Sequence, residues 1–237
     1  MLGLAGAAAM TSFATSRAQD PPPPSPAPPP AEAAPAPPAP AAAVPAAPPT
    51  APAASTVGWT TRNPAGFIAM TPAKASFALA GTMAMIGAGE QIVKENLITE
   101  PAGVLSRDLA RVVAERTGGA VAAEPTFATA LKPEEIAAGA KGARYVVDVT
   151  TMGWGYQYQP FKWTAFNASY YARLQVVDGA GKLLVKDTCV WPKKGQSETT
   201  SQDGLLADHA RELKLRIMAG KLACRAQFLT KIEELKL

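Results

Sequence analysis

Hydrophobic and polar positions alternate most cleanly over residues 164–178. Phe166, Ala168, Tyr170, Ala172, Leu174 and Val176 fall on one side, and Asn167, Ser169, Arg173 and Gln175 on the other. A period of two predicts a half-buried strand. The run 145–149 opens an earlier strand that continues irregularly to Tyr158. A third strand spans 182–191, entered through the hairpin sequence Asp178-Gly179-Ala180-Gly181. From Asp203 onward the period becomes helical: Leu206, Ala210, Leu213, Ile217, Cys224, Phe228 and Ile232 form one apolar stripe over 203–235. Arg211, Glu212, Lys214 and Arg216 cover the rest of that helix.

Ahead of the strands, Thr71-Pro72 and Thr99-Glu100-Pro101 each combine a capping hydroxyl with a proline in the first turn, which starts a helix. In the first helix Ser76, Ala80, Ala84 and Ala88 recur every four residues, a small-residue stripe that admits another backbone closely. The uncharged run 75–89 falls short of the roughly 18 apolar residues of a membrane span, so the reading is a buried core helix. Gly81, Gly87 and Gly89 weaken it, at about 1 kcal/mol each against alanine. The second helix carries Leu105, Leu109, Val112 and Val113 on one face and stops at Gly118-Gly119. Two helices on a short link predict a hairpin. Residues 120–123 suggest a short strand, and Pro133-Glu134-Glu135 opens a brief third helix with acids at its positive end. The expected fold is α+β: a three- to four-stranded antiparallel sheet covered by a long C-terminal helix, with an N-terminal helical hairpin.

Composition divides the chain. Of 23 prolines in 237 residues, 16 lie within 21–52. The expected organisation is a signal-like segment 1–18, a Pro/Ala-rich spacer 19–57 and an α+β domain 58–237. Ser16-Arg17-Ala18 puts small residues where signal peptidase reads, so cleavage is expected after Ala18. No basic stretch precedes the apolar one; either the true start lies upstream or the leader is unusual, and a plain Ala-rich tail is the alternative. About 35 spacer residues in polyproline geometry reach on the order of 100 Å, as a spacer across an envelope layer or as a passive tail. Arg17, Asp20 and Glu32 are the only charges before Gly58, which leaves the domain 22 of the 23 basic and 17 of the 19 acidic residues. Mixed charges of that balance argue against a nucleic-acid partner. No stretch qualifies as a transmembrane span.

Chemistry-bearing residues are sparse. His209 is the single histidine, no G-x-S-x-G elbow is present, and no metal or cofactor ligand set is legible. Asp148 and Asp187 are strand acids. Cys189 lies near the end of the third strand and Cys224 on the apolar stripe of the last helix. Thiols on facing surfaces of an exported protein suggest a disulfide; two free buried thiols are the alternative. Residues 154–171 hold Trp154, Tyr156, Tyr158, Phe161, Trp163, Phe166, Tyr170 and Tyr171, half of the 16 aromatics. Gly153 and Gly155, opposite Trp154, Tyr156 and Tyr158, suggest a bulge or the close approach of another backbone. Pro160-Phe161-Lys162-Trp163 turns the chain with aromatics at the corner. Tyr158, Phe161 and Trp163 are the candidate ligand- or partner-binding residues; completing the core is the competing role.

The order of these features carries a resemblance. Tyr145-Val146-Val147-Asp148-Val149, Trp154-Gly155, Tyr170-Tyr171-Ala172-Arg173-Leu174, Val177-Asp178, Cys189 and a terminal helix with Cys224 resemble a group of uncharacterised proteobacterial exported proteins, many of them lipoprotein-like. The resemblance covers roughly 74–237 and implies a strand-to-helix disulfide and an envelope location, with no activity attached. This chain has no cysteine before Cys189, so lipid anchoring through an N-terminal cysteine does not carry over. The functional expectation is a non-enzymatic periplasmic or exported envelope protein, a binding or assembly module whose partner is an envelope protein or a glycan. A cell-wall-acting hydrolase, with Asp148, Asp187 or His209 converging in a pocket, is the alternative.

Overall fold

A computed structural model of the chain describes residues 55–75, 78–193, 195–196 and 198–235. The signal-like segment 1–18 and the spacer as far as residue 54 lie outside the described residues. In chain order the elements are β1 (Thr56–Thr61), β2 (Phe67–Ala69), α1 (Pro72–Ala75), α2 (Ala78–Glu95), α3 (Ala102–Thr117), β3 (Ala120–Val121), β4 (Thr126–Phe127), α4 (Pro133–Gly139), β5 (Tyr145–Gln159), β6 (Lys162–Asp178), β7 (Leu183–Trp191) and α5 (Gln202–Glu233).

The sheet corrects the expectation of a three- to four-stranded antiparallel one: it has seven strands and is mixed. β5, β6 and β7 form an antiparallel meander. On the other edge of β5 lie β1 and β2, both parallel to it, at Tyr145–Val147 and Trp154–Tyr156 respectively. β3 and β4 lie in the same way, end to end and parallel, along β1. The pattern announced β3 within 120–123 but hid β1, β2 and β4, for physical reasons. β1 is flanked on both edges, and Val57, Gly58, Trp59 and Thr60 are all buried, so it has no alternation to read. β2, β3 and β4 are three, two and two residues long.

The expected helical hairpin is also corrected. α2 packs on β2, and α3 packs on β1 and β5. Each helix finds its partner in a strand that the sequence pattern did not announce. α3 buries Leu105, Leu109 and Val113 against the sheet, and its Ser106 hydroxyl accepts the buried N–H of Val149 at 2.9 Å. On α2 the buried line is Gly81, Met85 and Gly89; Ala84 is exposed, and the side chains of Ser76 and Ala80 lie outside the described residues. Of the glycines that weaken this helix, Gly89 is where it meets the β2 backbone.

α5 lies against β6 and β7. Its Ser201 cap accepts the Gly204 N–H, and Leu213, Ile217, Cys224, Phe228 and Ile232 are buried. The helix is broken at Asp208, His209 and Ala210, which take left-handed φ values of 50°, 53° and 56°. Cys189 of β7 and Cys224 are joined by a disulfide with a Cα–Cα distance of 5.4 Å. β6 keeps its alternation: Phe166, Ala168, Tyr170, Ala172, Leu174 and Val176 all point into this core. The opposite face is covered in part by α4, whose Ile136 and Ala137, with Ala140 at its C-cap, pack on Val146 and Val177.

Candidate functional site

The aromatic segment divides in two. Trp154 and Tyr156 enter the core around Phe67 of β2, with ring centroids 4.9 and 6.2 Å from it. The Trp154 indole N–H donates to the Ala65 carbonyl at 2.6 Å, and the Gln202 amide donates to the Tyr156 hydroxyl oxygen at 3.1 Å. Phe166 and Tyr170 are buried beside them. The two glycines do what their spacing suggests. The β5–β6 register slips between Thr151 and Gly153, and a β-carbon at Gly155 would collide with the Ile68 carbonyl of β2.

Phe161 and Trp163 go the other way. Gln159 pairs with Lys162, so Pro160 and Phe161 form a two-residue turn at the tip of the β5–β6 hairpin. Pro160 fixes its own φ, and Phe161 adopts φ 65°, a left-handed value that turns usually give to glycine or asparagine. The Phe161 side chain stands 92% exposed and that of Trp163 58% exposed. Tyr158 bridges outside and inside: it packs partly against the core, and its ring lies 5.3 Å from that of Trp163 with the planes 33° apart. Beside this tip runs a groove of about 390 Å³ lined by Gln157, Tyr158, Asn167, Trp191, Pro192 and Lys193 among others. Trp191, Gln157 and Asn167 were not legible as neighbours of the tip. The pairing of Tyr170 with Trp191 and of Gln157 with Asn167 brings them there, and register is not written in a single strand's pattern.

Asp148 and Asp187 are engaged by different partners, and His209 is exposed on α5. Asp148 is fully buried, bound by Arg62 at 2.8–2.9 Å and by the hydroxyls of Thr60 at 2.6 Å and Thr150 at 3.1 Å. Asp187 accepts from the Gln227 amide at 2.8 Å. His209 is exposed in the left-handed break of α5. Among the described residues, no three His, Cys, Asp or Glu side chains are grouped to hold a metal ion.

A second cavity of about 320 Å³ lies between α5 and the link from α2 to α3, lined by Leu97, Val104, Met218, Lys214, Lys221 and Glu100 among others. Burial pushes the Glu100 carboxyl above the usual range, against the hydrogen bonds donated by the Thr151 hydroxyl and by the N–H groups of Ala102 and Gly103. The Thr151 hydroxyl oxygen also lies 3.2 Å from the Tyr170 hydroxyl oxygen, and burial raises that phenol too.

No protein-family model and no curated protein sequence matches the chain. Among solved structures, the crystal structure of lipoprotein GNA1162 from Neisseria meningitidis is similar at 17% identity over 72% of this chain and 99% of that one, with a TM-score of 0.26. No helix among the described residues is long and apolar enough to cross a membrane.

Proposed function

We propose that this chain is a non-enzymatic binding module of the bacterial cell envelope whose working surface is the β5–β6 tip. Phe161 and Trp163, with Tyr158 behind them, dock an envelope protein or a glycan. The observation that carries this is Phe161. A phenylalanine held with φ at 65° at a turn tip and 92% exposed contributes neither to core burial nor to turn stability. Side chains in such places persist where they meet something else. The disulfide between Cys189 and Cys224 fits an oxidising compartment, as expected of an exported chain cleaved after Ala18.

The test is a pair of substitutions read twice. Trp163→Ala and Phe161→Gly should leave the melting temperature unchanged, or raised for glycine, because neither ring is in the core. The same variants should capture less envelope protein or less purified peptidoglycan than the native chain. Equal capture by all three proteins overturns the reading.

A further inference from the structure

We infer that the outer face of α5, with the link between α2 and α3 beside it, is a seat for a lipid bilayer surface rich in anionic headgroups. The inference uses no residue of the β5–β6 tip and goes beyond the reading of that tip.

Three observations carry it. The first is an aliphatic crest. In α5 the side chains of Leu213, Ile217, Cys224 and Phe228 face the core. Leu215, Met218 and Leu222 recur at i, i+3 and i+7 on the opposite side and are exposed. Ala219, Ala223 and Ala226 extend that exposed side. Across the cavity of about 320 Å³ that Met218 lines stand Leu97 and Val104, exposed as well. Five of the fourteen exposed large apolar side chains among the described residues therefore gather on this face. One apolar stripe suffices to hold a helix on its domain; a second, outward one calls for another apolar neighbour.

The second is Leu97. α2 ends in a Schellman turn: the Ile98 N–H donates to the Val93 carbonyl at 3.0 Å and the Leu97 N–H to the Lys94 carbonyl at 3.4 Å. The position that Leu97 fills has a left-handed backbone, φ 52° here, which glycine adopts freely and leucine does not. The Leu97 side chain is 85% exposed, so core burial does not offset the strain.

The third is charge. From Arg211 to Lys231 the helix carries six basic residues and one acidic, Glu212. Arg211, Arg216 and Lys231 each pair with a carboxylate. Lys214, Lys221 and Arg225 have no such partner among the described residues. Spacings of seven and four put these three on one line beside the crest, and Lys214 and Lys221 line the cavity. Glu100 lines it too, but its carboxylate is engaged by the Thr151 hydroxyl and the Ala102 N–H.

Aliphatic side chains beside a row of unpaired cations match an anionic bilayer. The chains enter the acyl boundary while the ammonium and guanidinium groups meet phosphates. Lys214 and Lys221 are half-buried, with stems laid on apolar surface and heads free to stay at headgroup level. A protein partner fits less well. Protein interfaces draw their anchors from tryptophan, tyrosine and arginine seated in fixed pockets, and none of the crest residues is aromatic. A second copy would bring two faces of the same positive charge together.

The experiment uses the full chain with vesicles of phosphatidylcholine, alone or with one-third phosphatidylglycerol. It reads co-sedimentation and the rate of peroxide oxidation at Met218, with the exposed Met152 of β5 as the internal control. The native chain should partition onto the anionic vesicles and not the neutral ones, less so as salt rises. Oxidation of Met218 should slow several-fold on the anionic vesicles while that of Met152 stays the same. Lys214→Gln, Lys221→Gln and Arg225→Gln together should weaken partitioning by about a hundredfold, from roughly fivefold per cation. Leu97→Gly should weaken it by about tenfold, with the melting temperature unchanged or raised because glycine relieves the left-handed strain. Trp163→Ala should leave partitioning as it is. Absence of partitioning by the native chain overturns the inference. Partitioning without protection of Met218, or equal in the triple variant, overturns it in favour of another segment of the chain. Dimers abolished by Leu222→Ser, with no vesicle binding, overturn it in favour of a second copy. The capture assay with Phe161→Gly and Trp163→Ala decides the tip separately, so either reading can fail without the other.

Discussion

Gly89 of α2 lies so close beneath the carbonyl of Phe67 that a β-carbon at 89 would overlap the oxygen. This contact seats α2 on β2. Gly87, two residues earlier in the helix, has open space where its β-carbon would be. The two glycines should answer oppositely to one change. Gly87→Ala should stabilise by up to about 1 kcal/mol through helix propensity. Gly89→Ala should destabilise in spite of the same gain, because helix and strand must separate. Urea denaturation of both variants checks this. Equal stabilisation by both would mean that α2 does not rest on β2.

The disulfide closes a loop of 35 residues between β7 and α5. In the chain-entropy picture it contributes about 3–4 kcal/mol. Reduction, or Cys224→Ser, should lower stability by that order in chemical denaturation. Thiol titration of the unfolded, unreduced chain should find no reactive group.

Glu100 sets a pH dependence. Its carboxyl has a higher pKa folded than unfolded because burial penalises the charge. The folded state therefore holds the proton where the unfolded state has released it. The stabilising contribution is full below the ordinary glutamate range and is lost as pH rises through the raised folded value. Native protein should accordingly gain stability on mild acidification from neutral pH. Glu100→Gln should remove that portion of the slope, as seen in melting curves recorded across the window.

Asp148 of β5 and Arg62, one residue past the end of β1, form a buried pair at 2.8 Å with side chains 0% and 9% exposed. Asp148→Ala leaves a buried guanidinium uncompensated and should cost about 3–5 kcal/mol. Removing both partners should cost less than the sum of the single changes. A double-mutant cycle measures the difference, and strict additivity would argue against the pair.

What the sequence made legible follows local period. The β6 alternation and the α5 stripe survive because each element presents one face to one core. The register partners of β6 could not be read, so the groove around Asn167 and Trp191 appeared only with the strands in place. β1 was invisible because burial on both faces erases alternation, and β2 because three residues carry no period. Gly89 of α2 was read by propensity alone, and close packing against Phe67 outweighed it. At the candidate site, Pro160 marked the turn and so placed Phe161 and Trp163 outside. The division of the same aromatic run into core and surface followed from the approach of Phe67, some 90 residues earlier, which local pattern cannot register.

β1 joins the residues ahead of Ser55 to the sheet, and it has neighbours along both edges. A pull on the N-terminal tract therefore enters the molecule along the axis of an inner strand. Its hydrogen bonds to β5 on one side and to β3 and β4 on the other would be loaded together, in shear, instead of opening one at a time like a zipper. Resistance to such a force is a matter of unfolding rate. A chain tethered by its N-terminus would then transmit tension to the β5–β6 hairpin, and so to Phe161 and Trp163 at its tip, before the domain gave way.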